Sequence, residues 1–219
     1  MMTLINVIEI SSLLYAEDDF EFPKISDYPD PEDWYSKWGE VASKFNFNFK
    51  IIEKGSTLAD IETMDDENLQ MLIEARLEDM EDDPEEECFV LAFDGGIALK
   101  TDNGIPIRPN CCSDMSDTRN WQDIFANSST EWTMLWIGHP WVLYRKENGK
   151  ISFSEYTESS EIDPENIKIL VEVEESELRA EFEKVLQRQT NFKNRVLNIL
   201  KKINVKNPER IAELLTGMG

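Results

Sequence analysis

The chain has 219 residues, 41% of them hydrophobic and 10% aromatic, which is enough apolar material to fill one sizeable core. Its 45 acidic and 22 basic residues leave a formal net charge of -23. This charge argues against nucleic acid or an anionic membrane as a direct partner, because phosphate groups are bound by clustered Lys and Arg. It favours instead a soluble chain that attracts a basic protein.

Cysteine usage and the first residues indicate the compartment. Cys88, Cys111 and Cys112 do not make a disulfide framework. Residues 1–15 are largely apolar, but they lack a basic beginning and contain Glu9, so they predict neither a signal peptide nor a membrane span. We therefore expect a reducing, cytoplasmic setting.

The first part of the chain is predicted to alternate between strands and helices. Residues 4–10 have the imperfect alternation of a strand, and Asp30 followed by Pro31 is typical of a helix start. Residues 45–52 alternate cleanly between apolar and polar side chains, as in a strand with one buried face. A second helix is predicted over 66–80, since acids crowd its first turn, where the helix dipole favours them.

Short strands joined by turns are predicted for the middle of the chain. They are a buried strand over 88–93, a hairpin turn at Asp94-Gly95-Gly96, a returning strand over 97–100, a turn at 102–104, a strand over 105–108 and a loop over 109–116. Asp117 then caps a short helix that points Trp121, Ile124 and Phe125 inward.

Residues 132–156, WTMLWIGHPWVLYRKENGKISFSEY, are predicted to form the centre of a sheet. Almost every position as far as Tyr144 is aromatic, β-branched or aliphatic, which is typical of a strand covered on both faces and predicts a buried Trp136. His139-Pro140 interrupts the run, and Asn148-Gly149 is a strong tight-turn signal. We therefore expect three consecutive antiparallel strands.

The C-terminal part is predicted to be helical after one further strand over 167–173. A long helix follows over 177–203, and Asn207-Pro208 begins a short helix that Gly217 closes. The apolar stripe of the long helix is Leu178, Phe182, Val185, Leu186, Phe192, Val196, Leu200 and Ile203. Without linkers or repeats, residues 1–219 are predicted to form a single α+β domain with a mostly antiparallel sheet, packed helices and a helical part over 175–219.

Acidic residues are concentrated between positions 60 and 87, where fourteen acids stand against one base, Arg76. One interpretation is a solvated helix face and loop, because charge runs usually face solvent. The other is a docking surface for a cationic protein, with Asp79, Glu81, Asp82 and Asp83 as its contact residues.

Candidate chemistry centres on Cys111, Cys112 and the single histidine, His139. Together with Cys88 these residues could supply four zinc ligands, but the chelating Cys-x2-Cys spacing is missing. No nucleophile lies near His139 in sequence, which favours a structural or edge-of-cleft position for it. We therefore predict no catalytic residue, no metal site and no cofactor, and keep a cleft near these three residues as an alternative.

Aromatic residues give a second possible contact surface. The tryptophans are mostly core residues by periodicity, yet a sheet rim with Trp136, Trp141 and Tyr144 could leave an aromatic face for recognition. Trp141 and Tyr144 are therefore predicted to contact a partner.

Two motifs carry a resemblance to known proteins. The run Ile107-Arg108-Pro109-Asn110-Cys111-Cys112-Ser113-Asp114, then Trp121, then Trp136-Ile137-Gly138-His139-Pro140-Trp141-Val142, resembles bacterial proteins with a CC-x-D…W…W-x-G-x-P-W pattern. The acidic α+β character and the hairpin at Asn148-Gly149-Lys150-Ile151 are similar to the SUKH superfamily, over roughly residues 88–158. That superfamily contains immunity proteins against polymorphic toxins and regulators of cell-wall synthesis. The resemblance implies binding rather than chemistry.

Three functions remain open from the sequence. The first is an acidic cytoplasmic protein-binding module, specifically a bacterial immunity protein that neutralises a basic toxin. The second is a non-catalytic regulatory or structural protein whose charge only maintains solubility. The third is a small-ligand binder or enzyme with a cleft near Cys111, Cys112 and His139.

Overall fold

The computed structural model describes residues 1–10, 24–30, 33–34, 37, 49–54, 56–78, 91–159 and 163–219. These residues form a mixed α+β fold of helices packed on two four-stranded antiparallel sheets. The predicted fold class, with its helical C-terminus, is confirmed. The expectation of one sheet is corrected, because the described strands divide into two.

The first sheet has the strand order β2-β1-β3-β4. Its strands are β1 (Met2–Glu9), β2 (Leu58–Asp60), β3 (Gly95–Thr101) and β4 (Gly104–Ile107). The strand predicted over 4–10 is thus β1, and the turn predicted at 102–104 joins β3 to β4.

The hairpin turn predicted at Asp94-Gly95-Gly96 is wrong, because both glycines belong to β3 and pair with β1. Gly95 has φ 137°, and a Cβ atom there would lie 2.3 Å from the carbonyl oxygen of Val7. Glycine is therefore needed for the close approach of two strands and not for a reversal of the chain.

The second sheet has the order β5-β6-β7-β8. Its strands are β5 (Thr133–Leu135), β6 (Val142–Glu147), β7 (Lys150–Ser154) and β8 (Ile169–Glu174). The three consecutive antiparallel strands predicted within 132–156 are confirmed. Asn148 and Gly149 have φ 52° and 79°, which suits the tight turn between β6 and β7.

Four α-helices lie in the described residues. They are α1 (Asp66–Glu78), α2 (Thr118–Ala126), α3 (Glu175–Lys202) and α4 (Pro208–Leu215). Two 3-10 turns, Ile25–Asp27 and Met115–Asp117, complete the helical elements. Each of the four α-helices was predicted within a few residues of its observed bounds, whereas neither 3-10 turn was predicted.

The predicted role of Asp117 as the side-chain cap of α2 is wrong. Its carboxylate makes no capping hydrogen bond to α2 and instead accepts from the hydroxyl of Ser113 at 2.9 Å and from the amide side chain of Asn120 at 2.9 Å. Asp114 caps the preceding 3-10 turn, so Asp117 belongs to the reciprocal capping box of that turn.

Two hydrophobic clusters form the main core, and α3 contributes to both. The cluster between the sheets combines Leu178, Phe182 and Val185 of α3 with side chains of both sheets and of α2. The other cluster combines Phe192, Val196, Ile199 and Leu200 of α3 with α1, α4 and the end of β1. The long helix therefore joins the two halves of the core.

Gln189 lies on α3 between these two clusters and is only 2% exposed. Its side-chain amide donates to the carbonyl oxygens of Met115 at 3.1 Å and Thr216 at 2.9 Å. Leu186, which the sequence pattern placed in the stripe, is 37% exposed. Gln189 thus occupies the buried stripe position between Val185 and Phe192, four and three residues away. It can be buried there because two backbone carbonyl groups accept hydrogen bonds from its amide.

Several predicted elements fall wholly or partly outside the described residues. Positions 31–32, 35–36, 38–48, 79–80 and 88–90 are among these. Of the predicted strand over 45–52, Ile51 forms an isolated bridge with Ala59. Of the predicted strand over 88–93, residues 91–93 are not in a strand. Within the predicted helix start, the Trp34 amide donates to the Asp30 carbonyl oxygen at 3.2 Å.

Trp121 and Trp136 provide a matched test of core packing. Trp121 is 1% exposed, and its ring centroid lies 5.9 Å from that of Phe153. Trp136, predicted from the sequence to be buried, lies in the loop between β5 and β6 and is only partly buried. We expect Trp121→Ala to lower the free energy of unfolding by about 3–5 kcal/mol. Trp136→Ala should cost clearly less, and equal urea midpoints for the two variants would contradict this assignment.

Candidate functional site

A groove of about 700 Å³ lies between the two sheets, and we call it the edge groove. One wall is formed by residues 170–174 of β8 with Glu177 of α3. The other is formed by the first two residues, the β3–β4 turn, and Ile105 and Pro106 of β4. Both β8 and β4 are the outermost strands of their sheets, so the groove is bordered by two strand edges.

The groove follows the edge of β8 and not one of its faces. Successive side chains of a strand point to opposite faces. A cavity lined by five consecutive residues, as here by 170–174, must therefore run along the side of the strand. Val173 is buried in the core between the sheets, whereas Glu172 and Glu174 are exposed on the opposite face.

Four carboxylates line the edge groove: Asp102, Glu172, Glu174 and Glu177. Lys150 of β7 donates to Glu172 at 2.7 Å and lies 4.0 Å from Glu174. Its hydrogen bond, together with one from the hydroxyl of Ser152, lowers the pKa of Glu172. The terminal ammonium of Met1 contacts Asp102.

The charges of this group do not cancel. Four carboxylates are matched by one lysine and one terminal ammonium among the contacts that the described residues make. The groove is therefore negatively charged at neutral pH, and all four acids are accessible from its open side. Exposed apolar side chains also line the groove, since Met1 is 91% exposed and Leu170 is 40% exposed.

A second cavity, of about 520 Å³, contains the two adjacent cysteines, and we call it the thiol cleft. Cys111 and Cys112 share it with Glu9, Asp94 and Arg108, so both signs of charge line it. Glu9 is the last residue of β1, and Asp94 directly precedes β3. Arg108, Cys111 and Cys112 lie in the segment that follows β4.

The two thiols converge in this cleft. Both are exposed, and their Sγ atoms are 3.3 Å apart. Cys112 adopts a left-handed backbone conformation with φ 68°, which is uncommon for a residue with a side chain. The hydrogen bond with the Cys112 thiol raises the pKa of Cys111, so the thiolate of Cys111 is disfavoured.

His139 lies beside the thiol cleft without lining it. Its backbone amide donates to the carbonyl oxygen of Cys111 at 2.9 Å. Its imidazole faces two indoles instead, with ring centroids 4.6 Å from Trp136 and 5.4 Å from Trp141. The predicted cleft therefore brings Cys111 and Cys112 together, but the imidazole belongs to an aromatic cluster.

The turn that carries His139 is fixed by backbone contact. Gly138 has φ 92°, and a Cβ atom there would lie 2.5 Å from the carbonyl oxygens of Asn110 and Cys111. The side-chain amide of Asn110 donates to the carbonyl oxygen of Pro140 at 2.7 Å. These contacts hold the Cys111–Cys112 segment against the loop between β5 and β6.

The prediction that Trp141 and Tyr144 form an aromatic contact surface is wrong, because both side chains are buried. Trp141 is 7% exposed and Tyr144 is 3% exposed. Tyr144 lies on β6 with its ring in the core between the sheets, where its hydroxyl accepts from the Asn127 side chain at 2.8 Å. These two aromatic residues therefore belong to the core, whereas Trp132 and Trp136 are partly buried and Met134 and His139 are exposed.

The predicted contact residues Asp79, Glu81, Asp82 and Asp83 lie outside the described residues, so their role stays a prediction. The edge groove was not predicted from the sequence. Its signal was present, because acids at 172 and 174 alternate with valines at 171 and 173. The sequence pattern does not indicate, however, that this strand lies at the edge of its sheet.

Comparison with protein-family models, curated proteins and solved structures finds no match to this chain. None of the described helices is both long and apolar enough to cross a membrane. The described residues also contain no group of three or more His, Cys, Asp or Glu side chains that could hold a metal ion.

The thiols give a direct test. We expect the purified protein to contain no stoichiometric zinc and no disulfide, because two converging thiols without further ligands do not complete a tetrahedral site. Native Cys111 and Cys112 should both react with a thiol reagent, and the double change Cys111→Ser, Cys112→Ser should lower the native thiol count by two. One tightly held zinc ion per chain, or a disulfide in the untreated protein, would contradict this prediction.

Proposed function

We propose that this chain is a cytoplasmic protein-binding module that neutralises a basic protein, and that its partner is a toxin of the kind bound by immunity proteins. The observation that carries the proposal is the edge groove, where four carboxylates lie beside exposed apolar side chains. Carboxylates attract and orient a cationic partner, and desolvated apolar contacts slow its release.

The arrangement of reactive side chains favours binding over catalysis. A nucleophile needs a base within hydrogen-bond reach. The imidazole of His139 packs against Trp136 and Trp141, whereas the Cys111 thiol faces the Cys112 thiol in the neighbouring cleft. The raised pKa of Cys111 further reduces its fraction of thiolate.

Co-expression tests the function directly. The protein encoded by the neighbouring reading frame is expressed alone and together with this chain, and cell growth is measured. We expect the neighbour alone to arrest growth, and co-expression to restore growth with formation of a stable complex. A regulatory or structural role predicts no growth arrest by the neighbour and no complex, and that outcome would overturn the toxin proposal.

Charge variants test how the partner is attracted. We expect Glu174→Gln with Glu177→Gln to slow association and to weaken its dependence on salt, because steering by exposed charges is screened beyond about 8 Å at physiological ionic strength. Asp79→Asn, Glu81→Gln, Asp82→Asn and Asp83→Asn form a second set, which should have the same effect if that segment also docks.

The control for both sets is Glu209→Gln. Glu209 is an exposed acid of α4 that pairs with Lys201 at 2.8 Å and lies outside the edge groove. Its replacement removes one negative charge and should leave the association rate nearly unchanged. If the two groove substitutions have no more effect than this control, the groove is not the docking surface.

A further inference from the structure

The edge of β8 that faces the groove is not paired with any other strand that the structure describes. The strand is the last of its sheet, and among the described strands it pairs only with β7. In an antiparallel pair, residues alternate between those that bond to the neighbouring strand and those whose N–H and C=O point away from it. One hydrogen bond at the end of β8 shows which of its residues bond to β7.

The amide of Glu175 donates to the carbonyl oxygen of Gly149 at 2.9 Å, which makes these two residues a bonded pair. The register continues as Lys150 opposite Glu174, Ile151 opposite Val173 and Ser152 opposite Glu172. Val173 is therefore bonded to β7, whereas Glu172 directs its backbone N–H and C=O, and Glu174 its N–H, away from β7 toward the edge groove. The C=O of Glu174 is not available there, because Glu174 is the N-cap of α3 and the C=O of an N-cap residue accepts the first hydrogen bond of the helix.

The opposite wall of the groove is a poorer pairing edge. Pro106 lies within β4 and has no N–H to donate. Proline at an edge is a common means of preventing a further strand from adding. The strand β8 has no proline between Ile169 and Glu174. Its register with β7 shifts between Val171 and Ile169, so its regular part runs from Val171 to Glu174 and includes both glutamates.

The side chains of β8 indicate the chemistry of a partner strand. Glu172 and Glu174 project on one face, and Leu170 is 40% exposed on the same strand. Cross-strand pairs of opposite charge are stabilising, whereas like charges placed opposite each other are destabilising. A second copy of this chain would bring its own glutamates to the edge, so the acids disfavour self-pairing and favour a cationic strand.

We propose that a basic segment of the partner protein binds in extended conformation as a fifth strand on the outer edge of β8, with its backbone bonded to the N–H and C=O of Glu172 and to the N–H of Glu174. Main-chain hydrogen bonds give such strand addition its affinity, and alternate side chains give its specificity. This inference rests on the proposed function and specifies how the basic partner is held.

A synthetic peptide isolates the backbone contribution. The probe is an eight-residue peptide of alternating lysine and valine with blocked ends, and its matched control carries an N-methyl group on every residue. Both have the same charge, but the control cannot donate a backbone hydrogen bond along either edge. We expect the control to bind at least tenfold more weakly in fluorescence anisotropy. Equal affinities, or no binding of the unmodified peptide, would overturn strand addition.

Amide exchange locates the contact in the intact protein. The amides of Glu172 and Glu174 should exchange rapidly in the free protein and become protected when the unmodified peptide is added. The amide of Val173, which is directed toward β7, should be protected in both states. Unchanged exchange at Glu172 in the presence of bound peptide would place the peptide elsewhere.

Two substitutions at one position complete the test. Glu172→Gln removes the charge and keeps the N–H, whereas Glu172→Pro removes both. We expect the proline variant to bind the peptide at least tenfold more weakly than the glutamine variant. Equal weakening would mean that charge alone acts there. If circular dichroism shows the proline variant to be unfolded, the N-methyl peptide decides the question.

The outcomes separate this inference from the function on which it rests. Growth rescue and complex formation by co-expression, combined with equal binding of the two peptides, would leave the toxin-binding function intact and reject strand addition. Peptide pairing at β8 without any growth rescue would reject the toxin and keep the binding mode. A dimer of the free protein in which the amide of Glu172 is already protected from exchange would show that β8 pairs with itself, which also overturns the proposal.

Discussion

The fold depends on one helix that is packed against two cores. The helix α3 contributes Phe182 to the cluster between the sheets and Phe192 to the cluster around α1 and α4. Gln189 lies between them, and its amide bonds to backbone carbonyls of the Met115 turn and of the end of α4. A buried amide of this kind is stabilising only while both partners stay in place, so it fixes the rotation of the helix as well as its position.

The surface of the molecule shows how an acidic chain can keep an open strand edge. Exposed edges invite association, and charged side chains on the edge strand are one defence against it. On β8 the defence consists of glutamates, which repel other acidic surfaces and leave the edge accessible to bases. The edge of β4 is closed in another way, by Pro106. The two walls of the edge groove therefore differ in whether a further strand can pair with them.

The sequence predicted local structure well and tertiary position poorly. Helix bounds and the Asn148-Gly149 turn followed from periodicity and turn chemistry, which act over a few residues. The role of Gly95 could not be predicted from neighbouring residues, because it depends on close contact with β1, more than eighty residues earlier in the chain. For the same reason Tyr144 was expected at a rim and lies in the core, since burial depends on which elements cover a strand. The pair of thiols was predicted to share a cleft, whereas the groove along β8 required the strand order.

The direct continuation of β8 into α3 has a mechanical consequence. No loop separates Glu174, the last residue of the strand, from Glu175, the first residue of the helix. The helix has 28 residues and is therefore about 42 Å long. If β8 and α3 tilt together as one rigid body, a tilt of about 5° at β8 moves the far end of the helix by about 4 Å. The C-terminal half of α3 packs against α1 and α4, so both helices would have to shift with any such tilt of the strand.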